Sequence, residues 1–315
     1  MAKTREIKKR IKAVGNIRRI TKTMQMIATS KFARAQAAAT ATKPYTEGLF
    51  NLVTELAATA GEIDHPLMGS AKTSLVQQPG QPLAGGKELI LVITSDRGLA
   101  GPYNGSILRT FMQQRRERGS GANATTNANT LIELVGKKGA GFLRYNNIGV
   151  SRQHTFGDKP TFATIAELAQ DYMRRFIDGE ISAVKVVSMR FISAGRQTPE
   201  IKQLLPLKAI AKPAASAPSA TAANPAAPKT TVQYDFSPDA QELLGDLLPE
   251  TVKATLFQIF NDAIVSEHVA RMVAMKAATD NAGKMRKNLT RDYNRARQAA
   301  ITTELSEIIA GAASL

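Results

Sequence analysis

Cysteine and tryptophan are both absent from the 315-residue sequence. Without cysteine, the chain cannot form disulfides, thiolate nucleophiles or cysteine-based metal sites. Its three histidines, His65, His154 and His268, are far apart in the sequence, so a histidine metal centre is not expected either. Aromatic residues make up only 5% of an alanine-rich chain. Such a composition favours helices that meet along narrow seams over a broad globular core.

Long apolar runs are also missing. The longest covers residues 89–93, far short of the roughly 20 residues that a membrane-spanning helix needs. The beginning of the chain has no apolar signal core. Its Arg/Lys-rich composition imitates a mitochondrial transit peptide, but the same helical pattern continues for dozens of residues, which favours a structural role.

Positive charge is abundant: 42 Lys and Arg face 26 Asp and Glu, and the formal net charge is +16. This balance implies an acidic partner, which could be nucleic acid, anionic lipid or an acidic protein surface. The basic residues concentrate in residues 1–34 and 271–297. Few aromatic side chains for base stacking lie nearby, which argues against nucleic acid. A merely solvated basic face is the plainer alternative.

Apolar residues at steps of three and four predict one long helix from Lys3 to about residue 58. We interpret them as a single stripe: Ile7, Ile11, Val14, Ile17, Ile20, Met24, Ile27, Ala28, Phe32, Ala35 and Ala39. A second long helix is predicted from about residue 237, with Ser237 to Asp239 as its start, to about residue 310. Pro44 and Pro249 each predict a break or a kink. The two helices are expected to pair as an antiparallel coiled coil.

Between the long helices, strands alternate with helices, which predicts a small, mostly parallel, Rossmann-like α/β domain. The fold class is therefore a mixture of α+β and α/β. The predicted strands are 88–94, 131–135, 148–156, 184–192 and 200–207, and the predicted helices begin near residues 104, 138 and 161, with Thr164 as a later alternative start for the third. The predicted domains are 1–60, 61–208, a disordered Ala/Pro-rich insertion at 209–233, and 234–315.

Two Gly-containing segments could contact phosphate. Residues 95–101 follow a predicted strand, but they lack the Lys-Ser/Thr pair of a P-loop and the spacing of a dinucleotide site. Residues 136–139, Gly-Lys-Lys-Gly, are interpreted as an exposed turn. No Ser/His/Asp set and no carboxylate pair has catalytic spacing. The sequence therefore predicts no catalytic residue, no cofactor and no metal.

Four stretches of the chain resemble one known family: residues 20–31, 94–99, 266–281 and 293–305. They are similar to the gamma subunits of F-type ATP synthases. The resemblance implies a non-catalytic central rotor shaft that couples proton flow to ATP synthesis at the beta subunits. The implied partners are the ring of alpha and beta subunits, the epsilon subunit and the membrane c-ring, with no nucleic acid. It also implies a peripheral location on the cytoplasmic face of a bacterial inner membrane.

The resemblance further implies that Met24, Arg297, Gln298 and Thr302 lie at the contact with beta. The basic faces would then oppose acidic loops of that subunit. The chain departs from the family where residues 100–104 replace the usual cysteine and glycine pair. It also lacks the regulatory cysteines of chloroplast relatives, so thiol switching is not expected.

Two other classes of function stay open on the sequence alone. A coiled-coil protein that binds nucleic acid would need one contiguous basic stripe and steeply salt-dependent binding. A nucleotide-binding enzyme built on the α/β domain would need measurable affinity for ATP. A rotor needs the terminal helices packed on each other with their basic residues facing outward.

Overall fold

Long helices occupy both ends of the chain in the computed structural model, which describes residues 2–60, 65–68, 87–119, 130–207 and 240–313. Helix α1 covers Ala2–Ala60, and the C-terminal helix, α5, covers Ala240–Ala313. The prediction of one long helix at each end is confirmed, and neither proline ends its helix: α1 continues through Pro44 and α5 through Pro249. An interior proline costs a helix about 3 kcal/mol. Burial of Leu49, Val53 and Leu56 after Pro44 offsets this, at about 1.5–3 kcal/mol for each side chain.

The central region forms a five-stranded sheet with the order β3-β2-β1-β4-β5. Its strands are β1 (Lys87–Ile93), β2 (Thr130–Val135), β3 (Arg152–His154), β4 (Ile181–Ser193) and β5 (Arg196–Leu205). The first four strands are parallel, and β5 is antiparallel to β4. The predicted mostly parallel sheet is therefore confirmed. The apolar run of β1 is buried throughout, as expected for a central parallel strand covered on both faces.

Three shorter helices connect the strands: α2 (Tyr103–Gly119), α3 (Lys138–Tyr145) and α4 (Phe162–Ile177). At the start of α4, the Thr161 side chain accepts a hydrogen bond from the Thr164 backbone N–H, so the alternative start at Thr164 is wrong. Strand β3 is shorter than the predicted 148–156, and β4 and β5 are longer than predicted. The predicted insertion at 209–233 and the predicted helix start at 237–239 lie outside the described residues.

The chain divides into two compact units. We call residues 35–97 and 103–266 the sheet unit, and residues 1–34, 98–102 and 267–315 the helix-pair unit. The sheet unit contains one large apolar core, to which β1, β4, α4 and the first part of α5 all contribute. Each long helix contributes residues to both units. The predicted domain boundaries follow a different division and stay a prediction.

Hydrogen bonds between α1 and α5 show how these helices pair. In the helix-pair unit, the Thr279 hydroxyl donates to Thr21 Oγ1 at 2.8 Å. In the sheet unit, the Thr42 hydroxyl donates to Gln258 Oε1 at 3.1 Å. Within the helix-pair unit, Arg18 Nε also lies 3.6 Å from the position that a Cβ atom on Gly283 would occupy, so a step back along α1 from Thr21 corresponds to a step forward along α5 from Thr279. The pairing is therefore antiparallel, as predicted.

Candidate interaction surface

The first feature of the helix-pair unit is an exposed apolar stripe on α1. Ile17, Ile20, Met24 and Ile27 are 52%, 54%, 38% and 53% exposed. Their spacing of three, four and three residues places them on one face of the helix. Val14 and Ala28 are buried instead, on the face that carries Thr21. The predicted single stripe is thus wrong: α1 has one apolar face toward α5 and a second that remains exposed.

The last turns of α5 form a second exposed apolar region. Ile301, Leu305, Ile308 and Ile309 are all exposed. With Thr21 opposite Thr279, the first residue of α1, Ala2, lies opposite Gln298, because the two are equally far from that contact along their helices. From Ile301 to Ala310, every side chain of α5 is exposed.

Basic side chains cover much of the remaining surface of this unit. Those exposed to solvent are Arg5, Lys8, Lys9, Arg10, Lys12, Arg18, Arg19, Lys22 and Arg34 on α1, and Lys276, Lys284, Arg286, Lys287, Arg291, Arg295 and Arg297 on α5. Arg10 forms an ion pair with Glu6 on its own helix at 2.6 Å. The excess of outward cations on paired helices is the arrangement expected of a surface that meets an acidic partner.

The predicted contact residues all lie on this surface, but they form two groups. Arg297, Gln298 and Thr302 are exposed on α5, where the Thr302 hydroxyl donates to the Gln298 carbonyl oxygen at 3.0 Å. Met24 lies on α1. In the observed pairing it is level with Lys276 on α5, which comes well before Arg297 in the sequence. At a rise of roughly 1.5 Å per residue, the two groups are about 30 Å apart. A partner must therefore be long, or must bind in two places, to contact both.

The Gly-containing turn at residues 95–101 is occupied by contacts within the chain. In the sheet unit, the Ser95 backbone N–H donates to Asn104 Oδ1, and the Ser95 hydroxyl donates to the Arg97 carbonyl oxygen. In the helix-pair unit, Arg271 Nε donates to the Gly98 carbonyl oxygen at 3.5 Å. These contacts support the interpretation of a structural turn rather than a phosphate cradle.

The glycines of the Gly-Lys-Lys-Gly segment are explained by close packing. A Cβ atom on Gly136 would lie 2.3 Å from the Thr94 carbonyl oxygen, and one on Gly139 would lie 2.7 Å from Leu134 Cδ1. The Lys138 backbone N–H donates to the Ser95 carbonyl oxygen, and the Gly139 N–H donates to Thr94 Oγ1. The first amides of α3 therefore have partners, although Lys137 and Lys138 themselves are exposed.

The sheet unit also contains a buried charged cluster that the sequence interpretation missed. Glu133 on β2 is 1% exposed. Its carboxylate accepts hydrogen bonds from Tyr172 at 2.8 Å and Arg175 at 3.0 Å, and it lies 2.8 Å from His154 Nε2. The available signal is a single charge in the otherwise apolar strand Leu-Ile-Glu-Leu-Val. Its partners, at residues 154, 172 and 175, have no recognisable spacing.

The contacts around Glu133 shift two pKa values in opposite directions. Burial alone would raise the pKa of Glu133, but hydrogen bonds with His154, Tyr172 and Arg175 outweigh it, so that the pKa is lowered. Burial, followed by the nearby Glu133 charge, raises the pKa of Tyr172 well above its usual value. Both carboxylate oxygens of Glu133 are occupied, so the cluster connects β2, β3 and α4 and presents no open carboxylate to a ligand.

The described residues contain no helix that is long and apolar enough to cross a membrane. Among the same residues, no group of three or more acidic or histidine side chains could hold a metal ion. Its exposed apolar and basic side chains make the outward face of the helix-pair unit the candidate functional surface on this part of the chain.

A family model and curated relatives both match this chain over nearly its whole length. A family model described as ATP synthase matches residues 3–315. The chain is 36% identical over 316 residues to an ATP synthase gamma chain of Rhodopirellula baltica, with 100% of this chain and 99% of that protein covered. It is 38% identical over 319 residues to an ATP synthase gamma chain of Albidiferax ferrireducens, with the same coverage.

Solved structures show the same fold at lower sequence identity. The rotor of the Euglena gracilis mitochondrial ATP synthase matches with a TM-score of 0.59 at 15% identity, covering 95% of this chain and 99% of that one. A chain from the OSCP/F1/c-ring part of the same enzyme matches with a TM-score of 0.61 at 15% identity, covering 99% of this chain and 94% of that one.

Proposed function

The chain belongs to the family of ATP synthase gamma chains, and on that premise we propose that it couples proton flow through the membrane sector to ATP synthesis at sites on other subunits. Its fold matches the central stalk of the F1 sector. It is a non-catalytic stalk subunit. The observation that carries the proposal is the paired terminal helices, whose outward face is apolar and basic.

The proposed partners follow from this surface. The chain works within an ATP synthase complex. More specifically, we propose that the helix-pair unit stands inside a ring of alpha and beta subunits, and that the chain also contacts the epsilon subunit and the c-ring. An exposed apolar stripe beside many cations suits a collar with apolar and acidic parts. We propose no nucleic-acid partner.

The complex is membrane-associated, and we propose that this chain is a peripheral component on the cytoplasmic face of a bacterial inner membrane. We also propose that residues 1–60 and 234–315 act as the shaft, that residues 61–208 form its base, and that 209–233 is an insertion. These finer assignments rest on the family resemblance and on the positions at which the sequence pattern changes, near residues 60, 208 and 233.

For the contact with beta we propose Met24 and the group Arg297, Gln298 and Thr302. All four side chains are exposed on the paired helices. Met24 belongs to the exposed apolar stripe, and the other three lie in the last turns of α5. A methionine is a flexible apolar side chain that suits a contact surface which must adapt during movement.

Reconstitution tests the function directly. The purified chain is mixed with alpha and beta subunits of the same source, and complex formation and ATPase activity are measured with and without it. We expect a stable complex with strong ATPase activity only when the chain is present. If no complex forms, and the chain instead binds duplex DNA with a steep salt dependence, the proposal is wrong.

Two methionines on the same helix provide a matched test of the contact residues. Met24→Ser is expected to lower the ATPase activity of the reconstituted complex several-fold, because it removes an apolar contact. Met26→Ser is the control, since Met26 is 56% exposed but points about 200° away around the helix. Equal effects of the two variants would contradict the assignment of Met24.

A further inference from the structure

Helix α3 of the sheet unit has an outward side that is exposed along its whole length. Lys138, Gly141, Phe142 and Tyr145 are all exposed. Positions 138, 142 and 145 are spaced by four and three residues, which places them on one side of the helix, with position 141 between them. Leu143 points the other way and is fully buried. We call the side that carries Lys138, Gly141, Phe142 and Tyr145 the α3 face.

Two aromatic side chains dominate the α3 face. Phe142 is 38% exposed and Tyr145 is 87% exposed. An aromatic ring that stays in water contributes little to folding, whereas its burial in an interface removes a large apolar area from water. Tyrosine and arginine are enriched among the residues that dominate binding energy, and Arg144 lies in the same last turn of the helix. This composition is typical of a contact surface.

The end of α3 is held by hydrogen bonds, so the exposure of Tyr145 does not come from a frayed helix terminus. The backbone N–H and the side-chain amide of Asn146 both donate to the Phe142 carbonyl oxygen, at 3.1 and 2.9 Å. The next two backbone N–H groups donate to the carbonyl oxygens of Arg144 and Leu143. The last carbonyls of the helix therefore have partners, and the Tyr145 side chain projects from a fixed backbone.

Gly141 lies in the middle of the α3 face, and packing within the described residues does not require a glycine there. A Cβ atom on Gly141 would meet no described atom within 4 Å, whereas one on Gly139 would lie 2.7 Å from Leu134 Cδ1. A glycine inside a helix makes that helix less stable than an alanine would. Its bare backbone becomes an advantage where a second backbone has to come close. Gly141 thus suits a surface that another polypeptide approaches.

The charges around the α3 face are positive. Residues 134–157 contain no Asp or Glu, and their exposed cations are Lys137, Lys138, Arg144 and Arg152. Helix α3 packs on α2 and β2, whose acidic residues are Glu117 and Glu133. Glu117 accepts a hydrogen bond from Gln113 at 2.9 Å on its own helix, and Glu133 is enclosed by its own partners. The surface therefore complements a negatively charged partner.

We propose that the α3 face docks an acidic segment of another subunit of the complex. Phe142 and Tyr145 are its apolar anchors, Lys138 and Arg144 meet the carboxylates of the segment, and Gly141 lets the backbone of the segment come close. This inference rests on the function proposed above, because it requires the chain to work within an assembly. The bare backbone at position 141 favours a polypeptide over a lipid surface, since lipid headgroups gain nothing from such an approach.

The absence of cysteine allows a single introduced thiol to report on the α3 face. The Tyr145→Cys chain is assembled into the complete ATP synthase complex, and the rate of its alkylation by a maleimide is measured in the complex and in the isolated chain in the same detergent. We expect alkylation to be at least about tenfold slower in the complex, because the centre of an interface is shielded from solvent. The control is Gln170→Cys, exposed on α4, which should react at nearly the same rate in both samples.

Charge reversal tests the chemistry of the partner. In the Tyr145→Cys chain, Lys138→Glu with Arg144→Glu should return the alkylation rate in the complex to within about threefold of the rate in the isolated chain, because like charges then face each other. Lys87→Glu with Arg196→Glu is the matched control, since it changes the net charge equally at exposed positions of β1 and β5. The control should keep position 145 protected.

Gly141→Leu separates docking from folding by the sign of its effect. Leucine favours a helix more than glycine does, so the Tm of the isolated chain should rise by about 2 °C. In the complex, the same substitution should lower the protection of Tyr145→Cys several-fold, because the added side chain keeps the partner backbone away. If Gly141 served only the fold of this chain, the substitution would lower the Tm as well.

Three results would overturn the inference while the complex still assembles. The first is alkylation of Tyr145→Cys that is no slower in the complex than that of Gln170→Cys. The second is protection that survives charge reversal, which contradicts an acidic partner. The third is equal protection of the isolated chain by phosphatidylglycerol vesicles, which assigns the face to lipid. Failure of the natural chain to assemble would instead contradict the rotor proposal, and this inference would fall with it.

Discussion

The two units bury their share of α5 in different ways. In the sheet unit, buried side chains surround the helix: Leu244, Leu248, Val252, Leu256, Phe260 and Ala263 all belong to the core. In the helix-pair unit after residue 276, only Thr279 and Ala282 among the described side chains are buried. The first arrangement holds the helix in place by itself. The second leaves one narrow seam and an outer surface, which is the form that a partner-binding helix takes.

The strongest test of this contrast is the same substitution in both parts of α5. Leu256→Ala should lower the free energy of unfolding by about 2–5 kcal/mol, because a fully buried leucine leaves a cavity. Leu305→Ala should change it by no more than about 0.5 kcal/mol, because Leu305 is 58% exposed. Urea denaturation followed by circular dichroism measures both. Comparable losses would mean that the end of α5 is packed in solution. The two units would then not differ in how they bury α5.

The buried cluster around Glu133 gives the next largest effect. Glu133→Gln removes the charge that Arg175 and Tyr172 contact at 3.0 and 2.8 Å. Hydrogen bonds to charged groups contribute about 1.5–3 kcal/mol, so we expect a loss of that order at pH 7. Glu117→Gln on α2 is the control, because Glu117 is exposed.

The same variant has a predicted pH dependence. The pKa of Glu133 is lowered in the folded protein, so its contribution is complete above the unfolded pKa of about 4.3 and is lost as the pH falls through the folded value. The stability difference between the natural protein and Glu133→Gln should therefore shrink when denaturation is repeated below about pH 4. A difference that grows at low pH would show that the folded pKa is raised instead.

Much of this architecture could be predicted from the sequence, because long helices repeat one signal many times. The bounds of α3 and the order of strands and helices follow from local patterns. The apolar pattern predicted helices that run past Pro44 and Pro249, but what offsets the cost of these prolines could not be predicted, since it depends on burial against distant residues. The two apolar faces of α1 and the partners of Glu133 have the same cause: which face is covered, and by what, is decided by tertiary packing.

A smaller effect is expected at the start of α4, where the sheet unit meets solvent. Thr161→Ala removes the side chain that accepts a hydrogen bond from the Thr164 N–H, and loss of such a cap costs about 1 kcal/mol. Thr164→Ala, one turn into the helix, should cost less because its backbone N–H keeps its acceptor. Thermal unfolding of the two variants compares their stabilities. A larger loss of stability for Thr164→Ala would show that Thr164, and not Thr161, caps the helix.

The smallest effect is expected at an exposed ion pair of the helix-pair unit. Arg10 and Glu6 are 2.6 Å apart, and their side chains are 66% and 63% exposed. Exposed pairs four residues apart on a helix contribute about 0.3–0.5 kcal/mol, and salt weakens them. Glu6→Gln should therefore change the free energy of unfolding by no more than this in dilute buffer, and by less in about 1 M salt. A loss as large as that of Glu133→Gln would mean that charge contacts are equally strong in both units, and the difference between them would then lie in apolar burial alone.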